Sequence, residues 1–535
     1  MAESKAVEED CIPFTAVPHI TPLFADFLYH FAKVSRFYAH DPLTVDWAGE
    51  LKRISYPQDR REVVASVLER QNLAFGAGQK TLDNIQRLRK GAPVMVTGQQ
   101  VTLFGGPVFS ILKVLTAVMH AEQANAVPVF WLATEDHDLA EVSTINLPGS
   151  DHAQKFSVSF PHIEGAPVGT IVFSDEIAAA LQQVESLFGD SEVLALLKAS
   201  YRPGATFGSA FGRFYAQLFA GSGIVLLDPS DPELHRIARP VYLQAVVQWK
   251  EINDALQRRS QELENAGYHA QVKVTPSHTL CFYLQDGVRT PVRHALDGFW
   301  IGERNLSDAE LAAEAERCPE RFSANVLLRP ALQDYLLPTL AYLGGPSEVA
   351  YFAQVAVVYE KLLGKVTPVI PRMSATLVEP RQAKLLDRYH LSLQDVFHAG
   401  DKLSELLAGK ALPESILRSF GLATEHVEQA LTLIAGPLEK LDPTLADAAQ
   451  NSGAKMRHQL QSLRDKAVRA EARKNAETQH HADELSALLF PNKELQEREV
   501  GAAYFLLKYG TGVLGKLRDA LQLNCPDHQI VRIQS

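Results

Sequence analysis

Cysteine is scarce in this 535-residue chain: Cys11, Cys281, Cys318 and Cys525 are the four, far apart and without a CxxC pair. That spacing gives neither a disulfide framework nor a thiolate zinc site, so buried or incidental thiols are expected. Long apolar runs are missing as well, and no stretch approaches the roughly 18 apolar residues of a membrane-spanning helix. The opening MAESKAVEEDCIPF is acidic where a secretory signal is basic and then apolar. Positive charge is in deficit, 52 Lys and Arg against 63 Asp and Glu for a net charge of -11, which argues against a general nucleic-acid or anionic-membrane surface. These absences leave a cytoplasmic protein that acts on small molecules, with neither nucleic acid nor membrane as partner.

What is present is an ordinary globular composition, 46% hydrophobic and 21% charged. The length suits roughly three or four domains at about 150 residues each. The chain is organised around residues 93–149. Residues 93–97 read as a buried strand, 98–107 as a glycine-rich turn, 108–123 as a helix by apolar spacing, and 127–133 as a second buried strand. Together they form a βαβ unit, whose crossover is right-handed in nearly every case and whose ligands gather beyond the carboxyl ends of the strands. Two uncommon motifs, GQQVTLFGGP and TEDHD, fall at that edge.

Elsewhere the pattern changes along the chain. Residues 22–89 are expected to be helices covering one sheet face. Residues 155–160 and 169–173 alternate like a hairpin and 176–200 read as helix, an insertion between core strands. Residues 224–227 are a buried strand ending in Asp228-Pro229-Ser230-Asp231, which suits a ligand edge or a plain strand-to-helix turn equally. A helix over 240–266 precedes short strands at 271–274, 279–284, 288–292 and 298–301, a second small insertion in which His269, His278 and His294 lack metal-ligand spacing. Beyond residue 380, Val427, Leu431, Ile434 and Leu438, then Met456, Leu460 and Leu463, recur at spacings of three and four. This predicts a helical hairpin that turns near Asn451-Ser452-Gly453, with kinks at Pro437 and Pro443. A last apolar helix should dock back.

The sequence of apolar run, GGP and helix occurs twice, at Gly105-Gly106-Pro107 and at Gly344-Gly345-Pro346. Helix N-termini offer unpaired N–H groups and paired glycines permit close backbone approach, so the two turns are expected to share an anionic ligand. Ser347 is expected to cap a helix over 347–363 with Glu348 in its first turn. Arg372, in a polar loop over 372–376 after a strand ending at 369–370, suits a carboxylate or phosphate, with Ser374 and Thr376 as hydroxyl donors. Glu135, Asp136, His137 and Asp138 are consecutive at one strand end and cannot all face one ion, so no protein-only metal site is expected.

Taken together, TGQQVTLFGGP with Lys113, PVFWLATEDHD, YLGGPSEVAYFAQ, PRMSAT and LFPNKELQER, in this order, resemble the bacillithiol biosynthesis cysteine-adding family, BshC, over nearly the whole chain. The resemblance implies an α/β fold: a Rossmann-like parallel-sheet core over 1–380 with two inserted connecting-peptide subdomains at about 150–205 and 267–322. A C-terminal α-helical coiled-coil domain over 381–500 would mediate homodimerisation, and 501–535 would dock on the core. It implies a ligase that joins L-cysteine to glucosaminyl-malate by an amide bond, with the carboxyl activated by ATP or another nucleotide and Mg carried on that nucleotide. On that reading His137 is the base that takes the amine proton, oriented by Asp136 or Asp138. Gln99, Gln100, Gly105, Gly106 and Lys113 hold malate carboxylates or a phosphate, Gly344, Gly345, Ser347 and Glu348 shape the opposite wall, and Arg372 with Ser374 binds charge developing on the activated carboxyl. A second nucleotide site is placed around Pro491, Asn492 and Tyr504. Two other readings stay open: a nucleotidyltransferase or pantothenate-synthetase-like amide ligase on another small carboxylate, and a non-catalytic coiled-coil scaffold.

Overall fold

The computed structural model describes residues 11–148, 153–295 and 297–534; Gly149, which ends the organising stretch, and residues 1–10 of the acidic start lie outside them. The apolar runs at Val94–Gln99, Val127–Leu132, Val225–Leu227, Thr339–Gly344 and Val369–Pro371 form one parallel sheet. Its strand order in space is Val369, Thr339, Val94, Val127, Val225. Both faces of these strands are covered, which is why they read as continuous apolar runs rather than alternating ones. The helix Val108–Gln123 crosses between the two strands of the βαβ unit, and eleven of its side chains are buried.

From the Val94 strand the chain moves outward to Val127 and Val225, whereas from the adjacent Thr339 strand it moves the other way to Val369. The sheet therefore has its switch point between Val94–Gln99 and Thr339–Gly344, the place where such sheets open a crevice at their carboxyl ends. The N-terminal helices do more than cover a face. Asn72, in the helix Gln58–Phe75, donates to Leu226 O (2.8 Å) and accepts from Leu226 N (3.0 Å), and Thr81 donates to Ile224 O (3.0 Å). Side chains thus occupy the hydrogen-bonding edge of the outermost strand, which would otherwise be an exposed template for pairing.

Several local expectations are corrected. Residues 153–157 pair with Thr144–Pro148 rather than with 169–173, where a 3-10 turn, Val168–Thr170, stands instead. Pro161, Gly165 and Pro167 interrupt the intervening segment and leave no ladder to extend. The helix expected over 176–200 breaks at Gly189 (φ 74°) into Glu176–Phe188 and Glu192–Ser200, the second capped by Ser191. The one expected over 240–266 is two helices, Pro232–Val247 and Trp249–Asn265, with Pro240 inside the first. The second insertion is an antiparallel sheet built on His278–Gln285 and Val288–Ala295, and residues 271–274 form no strand in it.

The polar loop expected at 372–376 is largely a strand, Ser374–Val378, which joins His528–Arg532 and Cys11–Ile12 in a three-stranded sheet. Its serine and threonine hydroxyls are spent inside that sheet: Ser374 Oγ lies 2.7 Å from His528 Nδ1 and Thr376 Oγ1 2.8 Å from Nε2. Two of the four cysteines also meet here, with Cys11 Sγ 2.9 Å from Cys525 Sγ. Their separation in sequence, 514 residues, hid the pairing.

The chain divides into two compact units, one made of Met1–Gly149, Ala153–Thr376 and Glu497–Val531, the other chiefly of Leu377–Gln496. The second is helical. Its long helices Glu414–Leu441 and Thr444–Lys474 pair through Gly453, packed on Leu431, and through Arg457 to Glu428 (2.9 Å). The turn lies at Asp442-Pro443, not at Asn451-Ser452-Gly453, because Asp442 accepts from the backbone N (2.9 Å) and hydroxyl (2.8 Å) of Thr444 and so starts the second helix. Pro437 is accommodated within the first helix. Glu497 to Val500, expected with the helical domain, belong to the core unit. Glu497 accepts from Ala375 N (3.0 Å), and Val500 O accepts from Val108 N (2.9 Å).

Candidate functional site

At the switch point the core unit holds a cavity of about 880 Å³, within the range of small-molecule sites. Gln99, Gln100, Lys113, Asp136, His137, Gly345, Ser347, Glu348 and Arg372 line it as expected from sequence. Gly105, Gly106, Asp138, Gly344 and Ser374 are not among its lining residues.

The two glycine turns are not anion cradles. Gly105 donates its N–H to the Tyr201 hydroxyl (2.9 Å) and accepts from Tyr215 (2.7 Å), while Gly106 N bonds Leu103 O (3.0 Å). Gly105 sits at φ 85°, where a Cβ would lie 2.6 Å from the Phe214 ring, so glycine is required there by backbone and packing. In the second turn the anion at the helix start is the protein's own. Gly345 takes the N-cap position in place of Ser347, and its N–H donates to Glu348 Oε2 (2.8 Å). Asp138 is used likewise, capping Leu139–Val142 by accepting from Glu141 N (3.1 Å).

Two of the expected cations are already neutralised. Lys113 Nζ lies 2.7 Å from Glu348 Oε2, and also donates to Gly98 O (2.7 Å) and Gln99 Oε1 (3.0 Å). Burial pulls the Lys113 ammonium below its ordinary range, opposed by Glu348 and reinforced by Arg372 and Arg329. Burial alone would raise Glu348, but Lys113, the Gly345 N–H and the Tyr342 hydroxyl prevail and hold its carboxyl below the usual range. Arg372 grips Glu497 with both terminal nitrogens (3.1 and 2.7 Å), and the pair is buried at 3% and 2% side-chain exposure. A buried pair of this geometry is expensive to break and is not available to a ligand.

Two further cations of the cavity were not evident in the sequence. Arg289, in the strand Val288–Ala295, stacks its guanidinium 3.8 Å over Phe282 and donates to Ser323 Oγ (2.9 Å) and Ala324 O (2.6 Å). Arg329 opens the helix Arg329–Leu336 and donates to the Tyr342 (3.4 Å) and Tyr351 hydroxyls. Both line the cavity, and neither forms an ion pair with a described carboxylate. Arg289 lies in the second insertion and Arg329 in the segment joining it to the core, where no local motif marks either as functional.

Arg289 also changes the reading of His137. Its Nη1 lies 3.0 Å from His137 Nδ1, and a guanidinium has only donors, so Nδ1 accepts and the neutral ring carries its proton on Nε2. Asp136 Oδ1 is 3.7 Å from Nδ1 and instead accepts from the backbone N of His137 (2.7 Å), while Oδ2 accepts from Gln100 (2.7 Å). His137 therefore presents a donor to the cavity, and the expected His137 base with an orienting aspartate is not formed. Asp228 accepts from Thr134 (2.5 Å) and Ser230 (2.7 Å), the plain turn of the two readings. Pro491 and Asn492 fall in the helical unit and Tyr504 in the core unit. Among the described residues, no group of three or more His, Cys, Asp or Glu side chains is placed to hold a metal ion, and no helix is long and apolar enough to cross a membrane.

Residues 7–373 match the family model "Bacillithiol biosynthesis BshC, N-terminal Rossmann-like domain", and residues 375–533 match the "C-terminal coiled-coil domain" of the same family. The chain belongs to the BshC family. Among its relatives, a protein of Koribacter versatilis is 47% identical over 98% of this chain and 99% of its own length. One from Solibacter usitatus is 35% identical over 97% and 99%, and one from Salinibacter ruber 31% identical over 97% and 98%. Each bears the name "Putative cysteine ligase BshC". The BshC Rossmann-like domain covers the parallel sheet, and the coiled-coil domain of the family covers the helical unit together with residues 497–531, which belong to the core unit.

Proposed function

We propose that this chain is a cysteine ligase of bacillithiol biosynthesis, joining the carboxyl of L-cysteine to the amine of glucosaminyl-malate. The observation that carries this reading is the cavity at the switch point, with Arg289 and Arg329 among its cations and outside any ion pair within 4 Å, in a chain that matches the BshC family along its length. Malate contributes two carboxylates, and guanidinium groups recognise carboxylates with paired hydrogen bonds. Arg289 and Arg329 hold those carboxylates in this reading, and Tyr351 and the Nε2–H of His137 donate to the sugar or to the activated carboxyl.

A free carboxylate is a poor electrophile at neutral pH, so cysteine must arrive activated, and ATP is the activating cosubstrate in this proposal, with magnesium entering on the nucleotide. The assay combines purified protein, glucosaminyl-malate, cysteine and ATP, followed by mass spectrometry for the ligated thiol and for AMP or ADP. Ligated thiol formed without nucleotide consumption would sink the ATP step alone; no ligated thiol under any activation would sink the ligase reading.

We further infer a homodimer through the helical hairpin. Its long helices leave Leu433, Ile434, Leu441, Met456 and Leu463 exposed, apolar side chains that a second copy would cover. Light scattering that returns twice the chain mass, and a single-chain mass for Leu433→Glu, are the expected results.

A further inference from the structure

Glu135, the first acid of TEDHD, enters the cavity in a different setting from its neighbours. It is 8% exposed, lines the cavity, and has Oε1 3.1 Å from Nε2 of His235, which is itself 3% exposed. That oxygen is buried and, apart from this ion-pair contact, has no hydrogen-bond partner among the described residues. His235 belongs to the helix Pro232–Val247, and Tyr242 on the same helix stacks on its ring and brings its hydroxyl 3.3 Å from Nδ1. Backbone acceptors at Phe322 and Pro319 also favour the charged imidazole. The other charged or titratable groups acting on this cluster are Arg289, Asp228 and Cys281. Burial works against the His235 imidazolium, but Glu135 and the backbone acceptors prevail, so its proton affinity is raised.

The remaining acids that line the cavity are occupied. Both Asp136 oxygens accept hydrogen bonds, Glu348 is bonded to Lys113, Gly345 and Tyr342, Glu141 accepts from Gln100 (2.8 Å), and Glu499 accepts from Asn146 (3.3 Å). Arg289 hydrogen-bonds Ser323, Ala324 and His137 rather than Glu135. A nearly buried carboxylate held from behind and open toward a ligand is complemented by a primary ammonium.

The geometry points to Glu135 as the residue that receives the protonated amine of the substrate and takes its proton, with His235 as the positioning residue behind it. This rests on the ligase reading above. In the step, R–NH3+ gives one proton to the Glu135 carboxylate and becomes R–NH2. The nitrogen lone pair then forms the C–N bond to the activated cysteine carboxyl, and the leaving group departs with the electron pair of its bond to that carbon. The second nitrogen proton passes to solvent, and Glu135 releases its own to reset the site.

Two substrates bring a primary ammonium, the amino sugar and cysteine, and calorimetry separates them. Wild-type protein should bind glucosaminyl-malate roughly ten- to a hundredfold tighter than glucosyl-malate, the difference expected of a charge-assisted hydrogen bond. Glu135→Gln should abolish that preference while leaving the preference for cysteine over 3-mercaptopropionate intact. Loss of the cysteine preference instead would overturn the assignment to the attacking amine. In turnover, Glu135→Gln should be impaired at neutral pH and recover as pH approaches the amine's own pKa; a profile parallel to wild type would overturn the base role. His235→Asn should raise KM for the amine-bearing substrate with a smaller change in kcat, because it removes the group that holds the Glu135 carboxylate from behind. An unchanged KM with only lower thermal stability would reduce His235 to packing. Should Glu135→Gln fail to fold, the His235→Asn kinetics and Glu135→Asp decide the matter. Absence of any ligated thiol from wild type condemns the ligase reading, and the calorimetric preference still tests Glu135.

Discussion

Lys113 and Glu348 face each other across the switch point at 2.7 Å, one from the helix after the Val94 strand and the other from the helix after the Thr339 strand. The two GGP-and-helix units are thus tied together by an internal ion pair where the sequence pattern pointed to a shared external anion.

Breaking this pair should be costly. Lys113→Met or Glu348→Gln alone leaves a buried charge uncompensated and should lower unfolding stability by about 3–5 kcal/mol. The double variant should recover most of that loss, because neither charge then remains. Chemical denaturation of the four proteins checks it, and additive losses would show that the two residues are not coupled.

Arg289 and Arg329 should behave as binding groups. Arg329→Lys and Arg289→Lys each keep a charge but lose the planar fork, and should raise KM for the malate-bearing substrate about tenfold or more. The KM for cysteine should change little. Steady-state kinetics with each substrate varied in turn provides the measurement.

Acid sensitivity follows from His528. Burial pushes its imidazole down to about 4, with Glu497 opposing and Arg372 assisting, and His120 is likewise lowered to about 4 by burial. Between an unfolded value near 6.5 and this folded value the unfolded chain binds more protons, so stability rises with pH across that window and is lost as pH falls from about 6.5 to 4. Each histidine contributes on the order of 1–3 kcal/mol to that loss. The carboxylates Glu348 and Glu497, held below their ordinary values, add a further loss as pH falls below about 4.5. Denaturation midpoints over pH 4 to 7 should slope less in His528→Gln and His120→Gln.

Cys11 and Cys525 should form an intramolecular disulfide when the protein is exposed to a small disulfide reagent: one thiolate attacks the reagent, the other displaces the mixed disulfide, and two small thiols leave. Peptide mapping should find the cross-link, and Cys11→Ser should prevent it. The Cys281 thiol, pushed up to about 12 by burial, should stay unreacted.

Much of the fold was legible because its signals are local. The parallel strands are apolar on both faces, and the helix Val108–Gln123 has an unbroken apolar pattern, so periodicity found both. The hairpin turn was misplaced because Asn-Ser-Gly looks like a loop, while the capping of Thr444 by Asp442 was the stronger instruction. The site was legible as a place and much less as a set of roles. Glu135, Asp136 and His137 of TEDHD, Lys113 and Arg372 are at the cavity, but the partners that neutralise the two cations, Glu348 and Glu497, come from distant segments. Arg289 illustrates the opposite failure: alone in a hairpin strand, it acquires a role only when folding brings it to His137, 152 residues away.

The pairing of Cys11–Ile12 with His528 and Gln529 makes hydrogen-bonded neighbours of residues that lie far apart in sequence. During synthesis the strand Ser374–Val378 therefore waits for a partner made more than a hundred residues later, after the intervening helical segment. Closure of this sheet depends on contacts that span almost the whole chain, which slows its formation. It should be among the last events of folding, and a short deletion from the C-terminus should leave the first strand, Ser374 and Thr376 without their partners all at once.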